Sequence, residues 1–335
     1  MLDRDEFFDS YFKDGASRLQ TDLNPENEEG KPHLPSEIGW NGDDHDPNGH
    51  CFWTGKNNMD DIWELQDSNI AEQELGWTPG DMDGRSMYRI DDNNPENHNY
   101  RIATGEEGSA FPDLFTGYND EGELDPSIYP GKTNGGQPEM VSDQIRTSEL
   151  DVSDKSSQFR NPSKDNQTML NEAEDIREMT DESSKQIALE DWNQRASELD
   201  QKLTSCQDYS DVRIQDHQNT LNSNTATEKE KEIAQNGLDF YDGENGYKNQ
   251  LANSQEELRN QYASLNDGSG YDTSKPIPSN ENGLEMNTDK NCLYNMQDSP
   301  AESNNVQGVD IGCLSKGMES EDSKKDLSQV NGMTM

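Results

Sequence analysis

SMYRIDDNNPENHNYRI, residues 86–102, decides how the N-terminal part of the chain is read. Tyr88-Arg89-Ile90 and Tyr100-Arg101-Ile102 each set an arginine between an aromatic and an aliphatic residue, the period-two alternation of a half-buried strand. Between them lies the Asn-rich run Asp91 to Asn99, so the two segments read as strands of one hairpin with their arginines outward. Asn before Pro opens a turn, and Asp-x-Asn-Pro-Glu-Asn occurs at both 22–27 and 92–97. Gly39-Trp40 and Gly76-Trp77 do not keep one order relative to those turns, so a shared turn geometry explains the recurrence better than a tandem repeat.

Most aromatic residues fall before residue 130, and large side chains bury the most area, so the core is expected there. The fold class that follows is a small α+β N-terminal domain over residues 1–145, then a loose α-helical region, then a disordered acidic tail. Asp3 with Glu6 reads as an acidic capping box opening a helix whose Phe8, Tyr11 and Phe12 share a face. A second helix is expected from Asp60 through Trp63 and Ile70 to Leu75, stopped by Gly76. Residues 146–164 are rich in Ser, Asp, Lys and Gln and read as a polar linker.

Over 165–268 the period becomes helical. Leu189, Trp192, Ala196, Leu199 and Leu203 recur at alternating spacings of three and four, a stripe suited to a short coiled coil. Leu189, Trp192, Leu199 and Leu203 are accordingly the candidate partner-binding residues. Thr227 to Glu230 and Ser254 to Glu257 read as capping boxes, with Asn236-Gly237 and Asp267-Gly268 as stops. From 269 to 335 the sequence predicts a disordered tail with apolar islands at 292–296 and 309–314.

The charge is −43 over 335 residues, with 28% hydrophobic residues and a mean hydropathy of −1.21. Ordering a residue costs roughly 1 to 2 kcal/mol of backbone entropy, which apolar burial at about 25 cal/mol per Å² offsets over part of such a chain only. A negative charge of this size opposes compaction by self-repulsion, disfavours direct binding to nucleic-acid backbones and acidic membranes, and favours basic proteins, cationic peptides and metal cations. No run of about 18 apolar residues is present, so no membrane span is expected. The acidic start, MLDRDEFFDSYF, carries no readable signal peptide, which points to the cytoplasm or to secretion without such a signal. Cys51, Cys206, Cys292 and Cys313 form no CxxC pair and read as reduced thiols.

The densest candidate site is DDHDPNGHC, residues 43–51. Asp44, Asp46 and Asn48 with Gly49 match the first half of a calcium loop, in which alternate oxygens converge on a hard cation. The twelfth position is Gly55 instead of an acid, and an acidic Asx-type turn is the competing reading. His45, His50 and Cys51 offer a transition-metal alternative, with a metal-dependent nuclease as the enzyme that would use it.

A second constellation joins Arg89 and Arg101 to Glu139 as candidate catalytic residues. It resembles the Arg and Glu arrangement of ADP-ribosyltransferase-like bacterial toxin domains, over these few residues and without their Ser-Thr-Ser element. The resemblance implies that an arginine holds a phosphate while Glu139 stabilises the cationic sugar left when nicotinamide departs. Solvent-facing arginines on a hairpin are the ordinary alternative. The leading expectation is an acidic, non-enzymatic interaction protein that binds a basic protein or a partner helix. The alternative is a bacterial effector or toxin-like enzyme with its site in the N-terminal domain.

Overall fold

The structure is a computed structural model that describes residues 4–21, 34–39, 51–102, 131–133, 135–266 and 271–279. Helix α1 (Arg4–Tyr11) precedes β1 (Ala16–Thr21), β2 (Glu37–Ile38) and β3 (Cys51–Gly55). Then come α2 (Lys56–Leu65), α3 (Ser68–Leu75), β4 (Ser86–Asp92), β5 (Arg101–Ile102), β6 (Glu139–Ser142), β7 (Ile145–Arg146), β8 (Asp151–Val152) and β9 (Ser157–Gln158). Four helices follow: α4 (Pro162–Glu178), α5 (Glu182–Asn222), α6 (Glu228–Asp242) and α7 (Tyr247–Leu265). A sheet-containing N-terminal part followed by long helices is therefore the architecture, as the composition led one to expect. The tail beyond residue 279 lies outside the described residues, as do Asp3 and the first Asp-x-Asn-Pro-Glu-Asn segment.

The main sheet runs β5-β6-β3-β1-β4-β8, with β9 also on β4, and its pairings are antiparallel. The expected hairpin is corrected here: β4 pairs β1, whereas β5 pairs β6 at the other end of the sheet. Alternation in a strand reports which face is buried but not which strand lies alongside.

Ser17 stands opposite both Thr54 and Asp91, and this register sorts the side chains onto two faces. One face carries Ala16, Trp53, Ile90, Tyr100 and Met140 and is covered by Phe7, Phe8 and Phe12 of α1 and the residue after it. The other carries Leu19 and Met87 beneath Met59, Ile62 and Ala71 of α2 and α3, with Met82 and Phe159 filling the edge. Each such side chain contributes about 1.5 to 3 kcal/mol when fully buried.

The single helix expected over 60–75 is two. Gln66 takes a left-handed φ of 49°, and Asp67 starts α3 by accepting from the N–H groups of Asn69 (2.9 Å) and Ile70 (3.2 Å). Gly76, at φ 70°, stops α3 where the sequence placed the stop. Residues 146–164 are not a linker: β8 and β9 from this stretch pair with β4, and Phe159 is fully buried.

In the helical part, α5 packs against α4, α6 and α7. Its 41 residues span about 60 Å at 1.5 Å per residue. Trp192, Leu199 and Leu203 are buried in the core this makes with Met169, Leu251 and Leu258, and Leu189 packs at its margin. Their assignment to an external partner is corrected accordingly, because an apolar stripe at helical spacing is satisfied by the chain's own helices. Thr227 and Glu230 form the expected reciprocal capping box. Ser254 instead lies inside α7, and Gly237 lies inside α6, so neither is a boundary.

Sheet layer and helices belong to one compact unit. Buried side chains join them: the Tyr247 hydroxyl donates to Asp67 Oδ2 at 2.7 Å, and Arg213 Nε donates to Glu74 Oε1 at 2.9 Å. Lys202 Nζ also donates to the Gln66 carbonyl at 3.1 Å. No helix among the described residues is long and apolar enough to cross a membrane.

Candidate functional site

Of the residues singled out in the sequence, Arg89 stands apart from Arg101 and Glu139. Arg89 on β4 is engaged by Asp60 of α2 at 2.5 Å and by Asp91 at 2.8 Å. Hydrogen bonds and charges from these two carboxylates outweigh burial and hold its guanidinium above the usual pKa. A cleft of about 270 Å³ lies beside it, lined by Asp91, Asp151, Val152, Ser153 and Asp154. Glu139 is not in that lining: β1 and β3 separate β4 from β6, which is roughly 14 Å at about 4.8 Å per strand spacing. Arg101 stands opposite Val141, putting it on the same sheet face as Glu139 on the neighbouring strand, and Asp143 binds it at 2.9 Å.

Of the metal candidates, Asp44, His45, Asp46, Asn48 and His50 lie outside the described residues. Cys51 begins β3 and is buried beside Arg18, whose guanidinium donates to its sulfur. Burial raises its thiol pKa in spite of Arg18, which disfavours the thiolate a metal would need. Among the described residues no cluster of three His, Cys, Asp or Glu is arranged to hold a metal ion.

A buried polar knot surrounds Glu74 where α3, α5 and α6 meet. Glu74 accepts from Arg213, from the Tyr241 hydroxyl at 2.5 Å and from the Gln137 amide, while Thr133 donates to its main-chain carbonyl. Both carboxylate oxygens are thus occupied, by donors from three parts of the chain. Burying such a charge is costly without donors and tolerable with them, so the arrangement serves as a joint. Sequence reading missed it because residues 74, 137, 213 and 241 share no local pattern.

The surface offers a different arrangement at the turn between α4 and α5. Asn161 and Asp181 accept from main-chain N–H groups of Ser163 and Ser184 and fix the starts of the two helices. Met179 to Asp181 join them, so α4 and α5 form an antiparallel pair. Between them lies a groove of about 220 Å³ lined by Glu172, Asp175, Ile176, Met179, Ala188, Asp191 and Arg195. Met179 and Ile187, at 37% and 67% exposure, are the large hydrophobic residues left exposed among the described residues, and both stand at this tip. Residues 172–195 hold eight acidic and three basic side chains. Arg195 is bound by Glu172 at 2.5 Å and Asp191 at 2.9 Å, which raise its pKa and neutralise its charge locally. Asp175, Glu178 and Glu182 have no ion-pair partner among the described residues.

An apolar floor with unbalanced carboxylates at its rim can hold a cationic segment that also presents an apolar side chain. The signal for it was present in the sequence as Met179 and Ile187, two large residues that fall off the stripe through Leu189 and Trp192. No protein-family model matches the chain, and no curated protein or solved structure matches it either, so the reading of this groove rests on its own residues.

Proposed function

We infer that the protein is an acidic, non-enzymatic interaction module that holds a basic partner segment at the tip of the α4–α5 pair. The supporting observation is a groove floored by Ile176, Met179 and Ala188 with Asp175, which has no ion-pair partner among the described residues, in its lining, and with the exposed Ile187 next to Ala188 in the chain. The long-range attraction comes from the net charge and raises the encounter rate, but it is screened by salt. The apolar contact is short-ranged and gives the site its selectivity. Covering Ile187 gains on the order of 1 to 2 kcal/mol, roughly tenfold in affinity.

Two synthetic helical peptides of equal charge test this, one with lysine and leucine on opposite faces and one with every leucine replaced by alanine. At low salt both should bind. In about 1 M salt, where the Debye length is about 3 Å, the leucine peptide should remain bound and the alanine peptide should dissociate. Met179→Asp with Ile187→Asp should remove the salt-resistant binding by roughly tenfold or more. If that double variant binds the leucine peptide as the parent does, the groove is not the site.

A further inference from the structure

Residues 271–279 return across the helices after α7 without helix or strand of their own. Within them, Ile277 is 2% exposed and enters the core formed by α4, α5 and α7. Both of its main-chain polar groups are taken by side chains of α5: its N–H donates to Asp200 Oδ2 at 3.0 Å, and its carbonyl accepts from Ser197 Oγ at 3.2 Å. Asp200 is itself fully buried, and Arg259 of α7 donates to its two oxygens at 2.6 and 3.2 Å. Upstream, the Tyr271 ring meets Tyr262 edge-on at 5.0 Å and its hydroxyl donates to the Lys275 carbonyl at 2.6 Å.

Capture of one residue's N–H and carbonyl by side chains, with its own side chain in an apolar slot, is the chemistry by which a groove recognises an extended peptide. The flanking residues suit that role. Pro276 and Pro278 carry no N–H that would need a partner, and Pro278 biases Ile277 towards an extended backbone. A segment stiffened in this way loses little entropy when it docks. An ordinary continuation of the fold would extend a helix or a strand. Here the main-chain ties from Pro276 to Pro278 among the described residues are those to Asp200 and Ser197.

We propose that Ser197, Asp200 and Arg259 form a binding site for a proline-flanked aliphatic residue in an extended peptide, and that residues 275–278 are its intramolecular occupant, a releasable clip. The groove of α4 and α5 plays no part in this site, so the two ideas stand or fall separately.

The test uses the full chain and a fluorescent peptide with the sequence of residues 271–279. The parent protein, with its site filled, should not bind the peptide. The Ile277→Asp protein should bind it, and Asp200→Asn added to that variant should reduce the affinity roughly tenfold or more, the value of a lost charge-assisted contact. Absence of binding by an Ile277→Asp protein that keeps its helical circular dichroism overturns the proposal, as does equal binding by the parent. Should Ile277→Asp lose its fold, amide exchange on the parent decides. A clip predicts that the Ile277 amide exchanges roughly tenfold or more faster than those of Leu203 and Leu258, because it opens without the helices. Exchange of all three at one rate makes the segment an integral part of the core and rejects the clip.

Discussion

His217 on α5 is 5% exposed, and its Nε2 is buried without a hydrogen-bond partner among the described residues. Its ring stacks on Tyr241 at 6.2 Å. Burial first, then the Arg213 charge, pushes the imidazole down to about 4, with Lys132 acting the same way and Glu74 against them. In the unfolded chain the same group titrates near 6.5. Between these values the unfolded state binds more protons, so stability present above about 6.5 is lost as the pH falls towards 4. Asp61 works in the opposite sense. Burial, reinforced by Glu64 and Asp60, raises it to about 6, so its folded form keeps a proton that the unfolded chain releases above about 3.8. The stability from that proton is lost as the pH rises through 6. The two slopes oppose each other over one window, and a variant separates them. His217→Asn should be less stable than the parent at pH 7, and the deficit should shrink by about 2 to 3 kcal/mol on going to pH 4.5. Urea unfolding at the two values measures it, and a deficit that stays constant would show that His217 is not the titrating group.

At the scale of elements, Gly237 shows a local preference overruled by packing. An Asn-Gly pair reads as a helix stop, yet α6 passes through it because the His217 ring occupies the space of a side chain: a Cβ on residue 237 would lie 2.2 Å from Nε2. Gly237→Ala brings about 1 kcal/mol of helix propensity against about 1 to 3 kcal/mol of overpacking. The net loss should be up to about 2 kcal/mol in the parent. In a His217→Ala background the same change should become stabilising, and a double-mutant cycle by urea unfolding reads the coupling. The contrast with Thr227 and Gly76 explains what the sequence made legible. A capping box and a left-handed stop are closed within a few residues, so their signals survive without knowledge of neighbours. Strand partners are not local. Arg89 and Arg101 sit in identical Tyr-Arg-Ile tripeptides on strands that β6, β3 and β1 separate, and the two-residue strands β8 and β9 gain their structure from β4 rather than from their own Ser- and Asp-rich sequence.

At the scale of the whole molecule, the aromatic N-terminal region suggests a core that unfolds apart from the helices, whereas buried pairs tie the two together. Arg213 with Glu74 and Tyr247 with Asp67 are the strongest ties. Breaking a buried pair by removing one partner costs about 3 to 5 kcal/mol, a large share of ordinary stability. Tryptophan fluorescence, which includes Trp53 in the sheet layer and Trp192 in the bundle, should therefore melt at the same temperature as helical circular dichroism. Arg213→Met should lower both midpoints or split them, and two separated transitions in the parent would contradict the coupling. The candidate binding tip was harder to read than the fold. Its apolar residues stand out only once the Leu189 to Leu203 stripe is seen to be used internally.

Glu74 has one more consequence, which concerns the order in which the chain is made. A ribosome releases this carboxylate early, and its donors Arg213 and Tyr241 come 139 and 167 residues later. Until they emerge, enclosing Glu74 would strand a charge away from water, at a cost of several kcal/mol. It follows that the sheet layer of the nascent chain stays unsealed on the α3 side, and that synthesis of the long helices completes the fold of the part made first.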